Sequence, residues 1–395
     1  MSDRHLRDPL YGNVKIRDAE LPVLDSWPVQ RLRYVGQLGD SQYVWPGATH
    51  TRFEHSVGVL HVASSIGESV GLDDEELLAV RIAGLLHDTG HGPFSHASDY
   101  IRNARSPVHE ERSCAVIDRL DEEGTLPVDP EIVKEYVRSD APLDIVAGTI
   151  DADRMDYIRR DAANTGVGKG AVDTLTITKY ATVRDGRLAF REPALRSIEG
   201  LLTARFTLME DLHRNEVTAI TNAMLRRSLE RYFEEHRDVD VLDHDDRTMH
   251  TELMDSDGDA GYYYRRLARR NLYKNVFDCG VDRLRRDALV DLADADATAM
   301  EREIAESAGV DSRDVVVNLP TIPDETAFDV AIAMESGDVR PLHEVSSFPE
   351  TLRESEWRSV SVAVYAPEDH REAVREAASE AVARHARAEI DPARP

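Results

Sequence analysis

The sequence predicts a mainly α-helical protein with one short β-hairpin and a small α+β unit towards its C-terminal end. Three observations predict it. Apolar residues recur at helical spacing through most of positions 1–236. One alternating stretch turns at Asp185-Gly186, which is a hairpin signal. From about position 286 short β-rich runs replace the helical pattern, and an amphipathic helix closes them.

The elements follow in order. "DSWPVQRLRYVGQLG" (25–39) and "TRFEHSVGVLHVASSIGESVG" (51–71) carry apolar residues at helical spacing. "DDEELLAVRIAGLLHD" (73–88) opens with an acidic turn suited to a helix N-terminus, then is apolar almost all round, as in a buried helix. "PLDIVAGTIDADRMDYIRRDAA" is expected to be a helix starting near Pro142. After the hairpin in "TITKYATVRDGRLAFRE" (176–192), one long helix is expected from Pro193 to Arg231. Residues 237–261 are acidic and poor in large apolar groups, so they read as a loop or an exposed short helix near a boundary. "DVVVNLP", "AFDVAIAM" and "SVSVAVYAP" supply the late strands, and "EDHREAVREAASEAVARHARAE" the last helix. The expected division is a core over 1–236, an acidic loop and helical extension of it over 237–285, and a small α+β domain over 286–395.

Composition narrows the function classes. The net charge is -27, and of 48 basic residues 43 are Arg and five are Lys. Acidic residues run along the whole chain. Concentrated salt screens self-repulsion to within about 3 Å at 1 M, so this charge suits a halophilic cytoplasm. The negative field argues against non-specific nucleic-acid binding. No run of about 18 apolar residues occurs, and the N-terminus has no apolar signal core, so a cytoplasmic protein is expected. Cys114 and Cys279 are expected to be reduced thiols.

One stretch carries chemistry. In "RIAGLLHDTGHGPFSHASD" (81–99) an apolar helix ends in His87-Asp88 and meets Gly90, Gly92 and Pro93 at once. A chain leaving the helix there lets two neighbouring side chains face one ion. A lone His-Asp pair more often just ends its helix; His244-Asp245, in the acidic segment, is such a pair and is assigned no function. Company changes the reading at 87–88. His55 lies on an upstream apolar helix, and Asp153 lies among Ile145, Val146, Ile150, Met155 and Ile158. His, His-Asp and Asp on three helices of one bundle form a mixed nitrogen and oxygen set suited to one divalent metal. Mn, Fe, Ni, Co, Zn and Mg all remain open. Other patterns fail. "TGVGKGA" (165–171) lacks the early Gly and the Ser/Thr of a P-loop and reads as a connection. "DSDGDAG" (255–261) has Ala260 and Arg266 where a calcium loop needs Gly and Glu. Cys114 and His61 read as packing residues.

The order His…His-Asp…Asp resembles the HD-domain phosphohydrolase superfamily. "DPLYGNVKI", "QRLRYVGQLGDSQYVWPGATHTRFEHSVGV", "AGLLHDTGHGPFSH", "HEERS" and "DADRMDYIRRD" are similar to the signature segments of one branch. That branch holds the SAM-and-HD-domain deoxynucleoside triphosphate (dNTP) triphosphohydrolases and their prokaryotic relatives. The resemblance covers about residues 5–235, and the C-terminal unit is similar, more weakly, to the tails of prokaryotic members.

The resemblance implies a role for each matching position. His55, His87, Asp88 and Asp153 would be metal ligands. His91, His96, Asp99 and His109 would support the ligands and move protons. Arg52, Arg154, Tyr157, Asp161 and Arg205 would hold triphosphate and sugar, and Gln37 and Leu38 would line the nucleoside. Asp25, Gln30 and Arg33 match a regulatory guanine-nucleotide site. The implied reaction is attack of a metal-bound hydroxide on the α-phosphate of a dNTP, releasing deoxynucleoside and inorganic triphosphate. The implied assembly is a homo-oligomer. The chain departs from the family in the run His213-Arg214-Asn215-Glu216, where many members have Tyr-x-His-Lys. A carboxylate at 216 repels phosphate, which argues against a nucleotide activator there. The alternatives are an HD enzyme for another nucleotide phosphate ester, such as a nucleoside monophosphate or an alarmone, and a nucleotide-binding regulator without turnover.

Overall fold

A computed structural model describes residues 4–99, 101, 108–168, 172–323 and 328–388. The protein is mainly α-helical, with three small sheets among the described residues. The chain divides into two compact units interleaved in sequence. One comprises Met1–Met209, Phe233–Thr251 and Thr326–Pro349; the other comprises Glu210–Tyr232, Glu252–Glu325 and Glu350–Pro395.

The first unit is built round the helix Arg52–Val70. Thr51 and Glu54 close its first turn as a reciprocal capping box, and Gly71 ends it at a φ of 83°. The helices Asp74–Leu86 and Ala152–Thr165 pack on it. Gly84 sets the first contact, since a Cβ there would lie 2.9 Å from the Leu60 backbone nitrogen. Val59, Leu60, Ile66, Val80, Ile82, Leu85, Met155 and Ile158 are all buried, so three apolar helix faces share one core. The helices His109–Glu122 and Pro130–Arg138 pack together beside Asp74–Leu86.

The expected hairpin is present. Ala181–Arg184 pairs antiparallel with Arg187–Arg191 across Asp185 and Gly186, whose φ angles of 51° and 75° suit a tight primed turn. Ala331–Ala333 pairs in parallel with Arg187–Arg191, so this strand, expected in the C-terminal domain, joins the hairpin. A second hairpin, Arg4–Asp8 with Gly12–Ile16, carried no alternation strong enough to be read from sequence.

Three expected elements take another form. Residues 142–151 are not helical, and the helix starts at Ala152 because the Asp151 carboxylate accepts hydrogen bonds from the Arg154 and Gly148 amides. The helix expected from Pro193 to Arg231 is two, Leu195–Leu208 and Glu216–Glu235, separated by a π-helical turn over Met209–His213. Asn215 Oδ1 accepts from the Val217 and Thr218 amides and starts the second helix. The acidic segment forms two helices, Asp246–Asp255 and Asp259–Ala268. The run 165–171 lies partly outside the described residues.

In the second unit Ser361–Ala366 is the central strand, between Lys274–Gly280 and Val316–Asn318, all antiparallel. The helices Ala297–Ala308 and Arg371–His385 pack together over a core containing Leu289, Ile304, Val317, Val362, Val364 and Val374. A buried Arg227 pairs with Glu301, which also accepts from the Val317 amide.

Candidate active site

The three central helices of the first unit bring four acidic and imidazole side chains to one point. His55 Nε2 is 3.0 Å from Asp153 Oδ1 and 3.6 Å from Asp88 Oδ2. His87 Nε2 is 3.3 Å from His55 Nε2, 3.4 Å from Asp88 Oδ1 and 3.9 Å from Asp153 Oδ1. His55 is fully buried, whereas the Asp153 side chain keeps 34% of its exposure, so the point is open on the Asp153 side.

Backbone and carboxylate partners decide which nitrogens face inward. His55 Nδ1 donates to Asp156 Oδ2 at 2.8 Å, and His87 Nδ1 donates to the Gly84 carbonyl at 3.0 Å. Both acceptors leave the Nε2 lone pairs facing each other at 3.3 Å. Two lone pairs at that range repel unless a cation or a proton lies between them. Burial works against a charged His55, but hydrogen bonds to Asp153 and Asp156 outweigh it and lift its pKa to about 10. Two imidazole nitrogens with the carboxylates of Asp88 and Asp153 beside them make a donor set of the kind a divalent ion takes. The donor set therefore fits a metal, and His55, His87 and Asp153 each offer a ligand atom within 4.8 Å of the others. Asp88 is also held by Arg52, at 2.5 Å to Nη1.

A second cluster adjoins the first. Asp99 Oδ2 lies 3.0 Å from His96 Nδ1, 3.4 Å from His109 Nδ1 and 3.7 Å from His91 Nδ1, while Arg112 holds the other oxygen at 2.8 Å. His91 and His109 stack with ring centroids 3.9 Å apart. His91 Nε2 stands 3.4 Å from Asp88 Oδ1, which joins the clusters. Burial, with the Arg52 charge adding to it, holds His91 well below the usual histidine range, so it is neutral. Burial opposes charge on His109, yet Asp99 raises its pKa; Asp99 itself falls well below the carboxylate range against the pull of burial, chiefly through His109 and His96. His96 is exposed.

The remaining expected residues fall into three places. Arg154 donates to the Thr149 carbonyl, Tyr157 feels the charges of Arg205 and Arg154 while burial pushes its phenol up to about 12, and Asp161 pairs with His50 at 2.8 Å. Gln37 is buried beside its neighbour Leu38, its amide nitrogen of the backbone bonded to the His50 carbonyl. Gln30 and Arg33 share a hydrogen bond, with Arg33 over the Phe53 ring, and Asp25 ends the short helix Leu21–Leu24. The run His213–Glu216 belongs to the second unit.

Sequence reading passed over several residues. Asp156 was one, although its i,i+4 spacing to Arg160 was a visible signal; Arg160 clamps it through Nε and Nη2, both at 2.9 Å, and reaches Asp8. Ser113 was another: it donates to the His87 carbonyl and accepts from the Gly90 amide, tying the helix His109–Glu122 to the His-Asp turn.

A mainly helical core that gathers imidazoles and carboxylates at an open point is suited to metal-dependent hydrolysis. A family model for the HD domain matches residues 52–159, and one for the HD-associated region matches 172–389. The chain belongs to the HD-domain phosphohydrolase superfamily, in the branch of the SAM-and-HD-domain proteins and their prokaryotic relatives. It is 30% identical over 384 residues to the uncharacterized protein MJ1154 of Methanocaldococcus jannaschii, covering 94% of this chain and 81% of that one. It is 30% identical over 276 residues to the deoxynucleoside triphosphate triphosphohydrolase SAMHD1 of Homo sapiens, covering 56% of this chain and 44% of that protein. A crystal structure of a phosphohydrolase from Bacteroides thetaiotaomicron superposes with a TM-score of 0.74 at 25% identity, over 92% of this chain and all of that one.

Proposed function

We propose that this protein hydrolyses dNTPs to deoxynucleoside and inorganic triphosphate. The observation that carries the reading is a pair of buried guanidinium nitrogens, Arg52 Nη2 and Arg205 Nη1, without a hydrogen-bond partner among the described residues. A buried charged donor left unpaired costs about 1–3 kcal/mol or more, which an anionic ligand removes. Arg52 already touches Asp88 of the cation point, and the charge of Arg205 acts on Tyr157, as do those of Arg154 and Asp153. Positive charge beside a cation site suits a polyphosphate chain.

His55, His87, Asp88 and Asp153 would hold the divalent ion, which supplies a Lewis acid and a water of lowered pKa. Arg52, Arg154 and Arg205 would neutralise charge growing on the phosphates, and Tyr157 and Asp161 would meet the sugar. Gln37 and Leu38 would face the nucleoside. Neutral His91 would steady Asp88. His109, whose pKa Asp99 raises against burial, or its neighbour His96 would pass a proton to the leaving oxygen. Asp25, Gln30 and Arg33 would form a second nucleotide site, though Glu216 argues against activation through its phosphate.

The test is incubation of metal-reconstituted protein with the four dNTPs in molar KCl, with products resolved by chromatography. Triphosphate release is the expected result. Release of monophosphate or pyrophosphate would redirect the reading to another phosphate ester. Tight nucleotide binding without turnover in Mn, Fe, Ni, Co, Zn or Mg would leave a regulator. Asp88→Ala is expected to lose both bound metal and turnover.

A further inference from the structure

The acidic segment before the helix Asp246–Asp255 sits directly on the His-Asp turn of the first unit. Val241 fills the space where a side chain at Gly92 would stand: a Cβ there would lie 2.4 Å from Val241 Cγ2. Arg31 spans from the His244 carbonyl, at 3.1 Å, to the His91 carbonyl, at 2.7 Å. Asp246 then makes the most telling contact. Its Oδ1 accepts from the Phe94 amide at 2.6 Å and its Oδ2 from the Gly36 amide at 2.9 Å.

Those two amides belong to the loops that matter. Gly36 precedes Gln37 and Leu38. Phe94 and Ser95 have φ angles of 59° and 56°, two successive non-glycine residues in the left-handed region. Such residues are strained and persist where their surroundings over-determine them. Here the surroundings are explicit. Ser95 Oγ donates to the Gly36 carbonyl at 2.5 Å and accepts from Arg52 Nε at 2.7 Å, and Arg52 Nη1 binds Asp88. Gly39 closes against the same turn, since a Cβ on it would lie 2.9 Å from the Phe94 carbonyl oxygen.

We infer that Asp246 is a positioning residue for the reaction: its carboxylate clamps the Gly36 and Phe94 amides, holds the left-handed Phe94-Ser95 turn, and through Ser95 sets Arg52 on Asp88. It touches neither metal ligand nor expected substrate position. A carboxylate suits the task because both amides donate and both its oxygens accept. An amide in its place would turn one N–H towards another. The inference rests on the phosphohydrolase class of the site and does not depend on dNTPs being its substrate.

The experiment compares Asp246→Asn with Asp245→Asn, using whichever nucleotide the wild type hydrolyses. Asp245 Oδ1 caps the helix by accepting from the Arg247 and Thr248 amides, a task asparagine also performs, so this control removes the same charge one residue away. Asp246→Asn is expected to lower kcat about 10- to 100-fold with KM changed less than about threefold and metal content unchanged, as for a displaced group acting on the transition state. Asp245→Asn is expected to match the wild type. Combined with Ser95→Ala, Asp246→Asn is expected to be less than additive, because both cut one chain of contacts. Equal losses in the 245 and 246 variants, unchanged kcat in Asp246→Asn, or a loss explained by missing metal would each overturn the inference. Where the wild type hydrolyses none of the nucleotides offered, the dNTP reading fails alone. Asp246 is then judged by the crystal structure of Asp246→Asn, with Phe94 and Ser95 expected to leave the left-handed region and the Arg52–Asp88 contact to lengthen, and an unchanged turn and contact overturning the inference.

Discussion

His55 Nδ1 stands 2.8 Å from Asp156 Oδ2, so a carboxylate one turn behind the cation point determines which nitrogen of His55 faces it. Asp156 is itself fixed by Arg160 on both oxygens. Second-layer carboxylates of this kind change metal affinity about 10- to 100-fold when altered. Asp156→Asn is therefore expected to bind divalent metal more weakly by that factor, read by metal titration with elemental analysis. Unchanged affinity would show that His55 is oriented by other means.

Gly58 makes room for that carboxylate. A Cβ at position 58 would lie 1.9 Å from Asp156 Oδ1 and 2.5 Å from Arg160 Nη2. Gly58→Ala is expected to destabilise the fold by about 1–3 kcal/mol, as overpacking does, and to lower metal content with it. A melting curve that matches the wild type would show that the Asp156–Arg160 pair can move aside.

His109 supplies a pH dependence with a definite sign. Its pKa in the folded state is raised by Asp99, so the charged pair adds stability fully below the unfolded histidine value, about 6.5. That contribution is lost as pH rises through the raised folded value. Unfolding free energy is expected to fall over this window in the wild type, and to fall less in His109→Gln. Denaturant titrations across pH 6 to about pH 9 read the difference. Identical profiles would remove the His109–Asp99 pair as the cause.

The net charge of -27 should make stability depend on salt. Screening falls from a range of about 10 Å at 0.1 M to about 3 Å at 1 M, which removes most long-range self-repulsion. The melting temperature is expected to rise as KCl goes from 0.1 M to about 2 M. A flat or falling response would count against adaptation to concentrated salt.

Much of the fold was legible because burial writes itself into periodicity. The helices Arg52–Val70 and Asp74–Leu86 and the hairpin at Asp185-Gly186 follow from apolar spacing and turn chemistry alone. The misses share a cause. The helix expected at Pro142 begins instead where Asp151 caps it, and the long helix after Pro193 breaks at a π-turn; both depend on where single hydrogen bonds form. The pairing of Ala331–Ala333 with Arg187–Arg191 joins strands far apart in sequence, which no local pattern encodes.

By itself the sequence determined the mainly helical class, the acidic surface, and the candidate set His55, His87, Asp88 and Asp153, because these lie in local patterns of spacing and neighbours. The tertiary structure alone decided that His55 and His87 meet through Nε2, that Asp156 and Gly84 orient them, and that Asp246 spans Gly36 and Phe94 from far along the chain. The physical reason is one of range. Hydrophobic periodicity is repeated over many residues and survives in one dimension, whereas a hydrogen bond is fixed within tenths of an ångström by groups that only folding brings together.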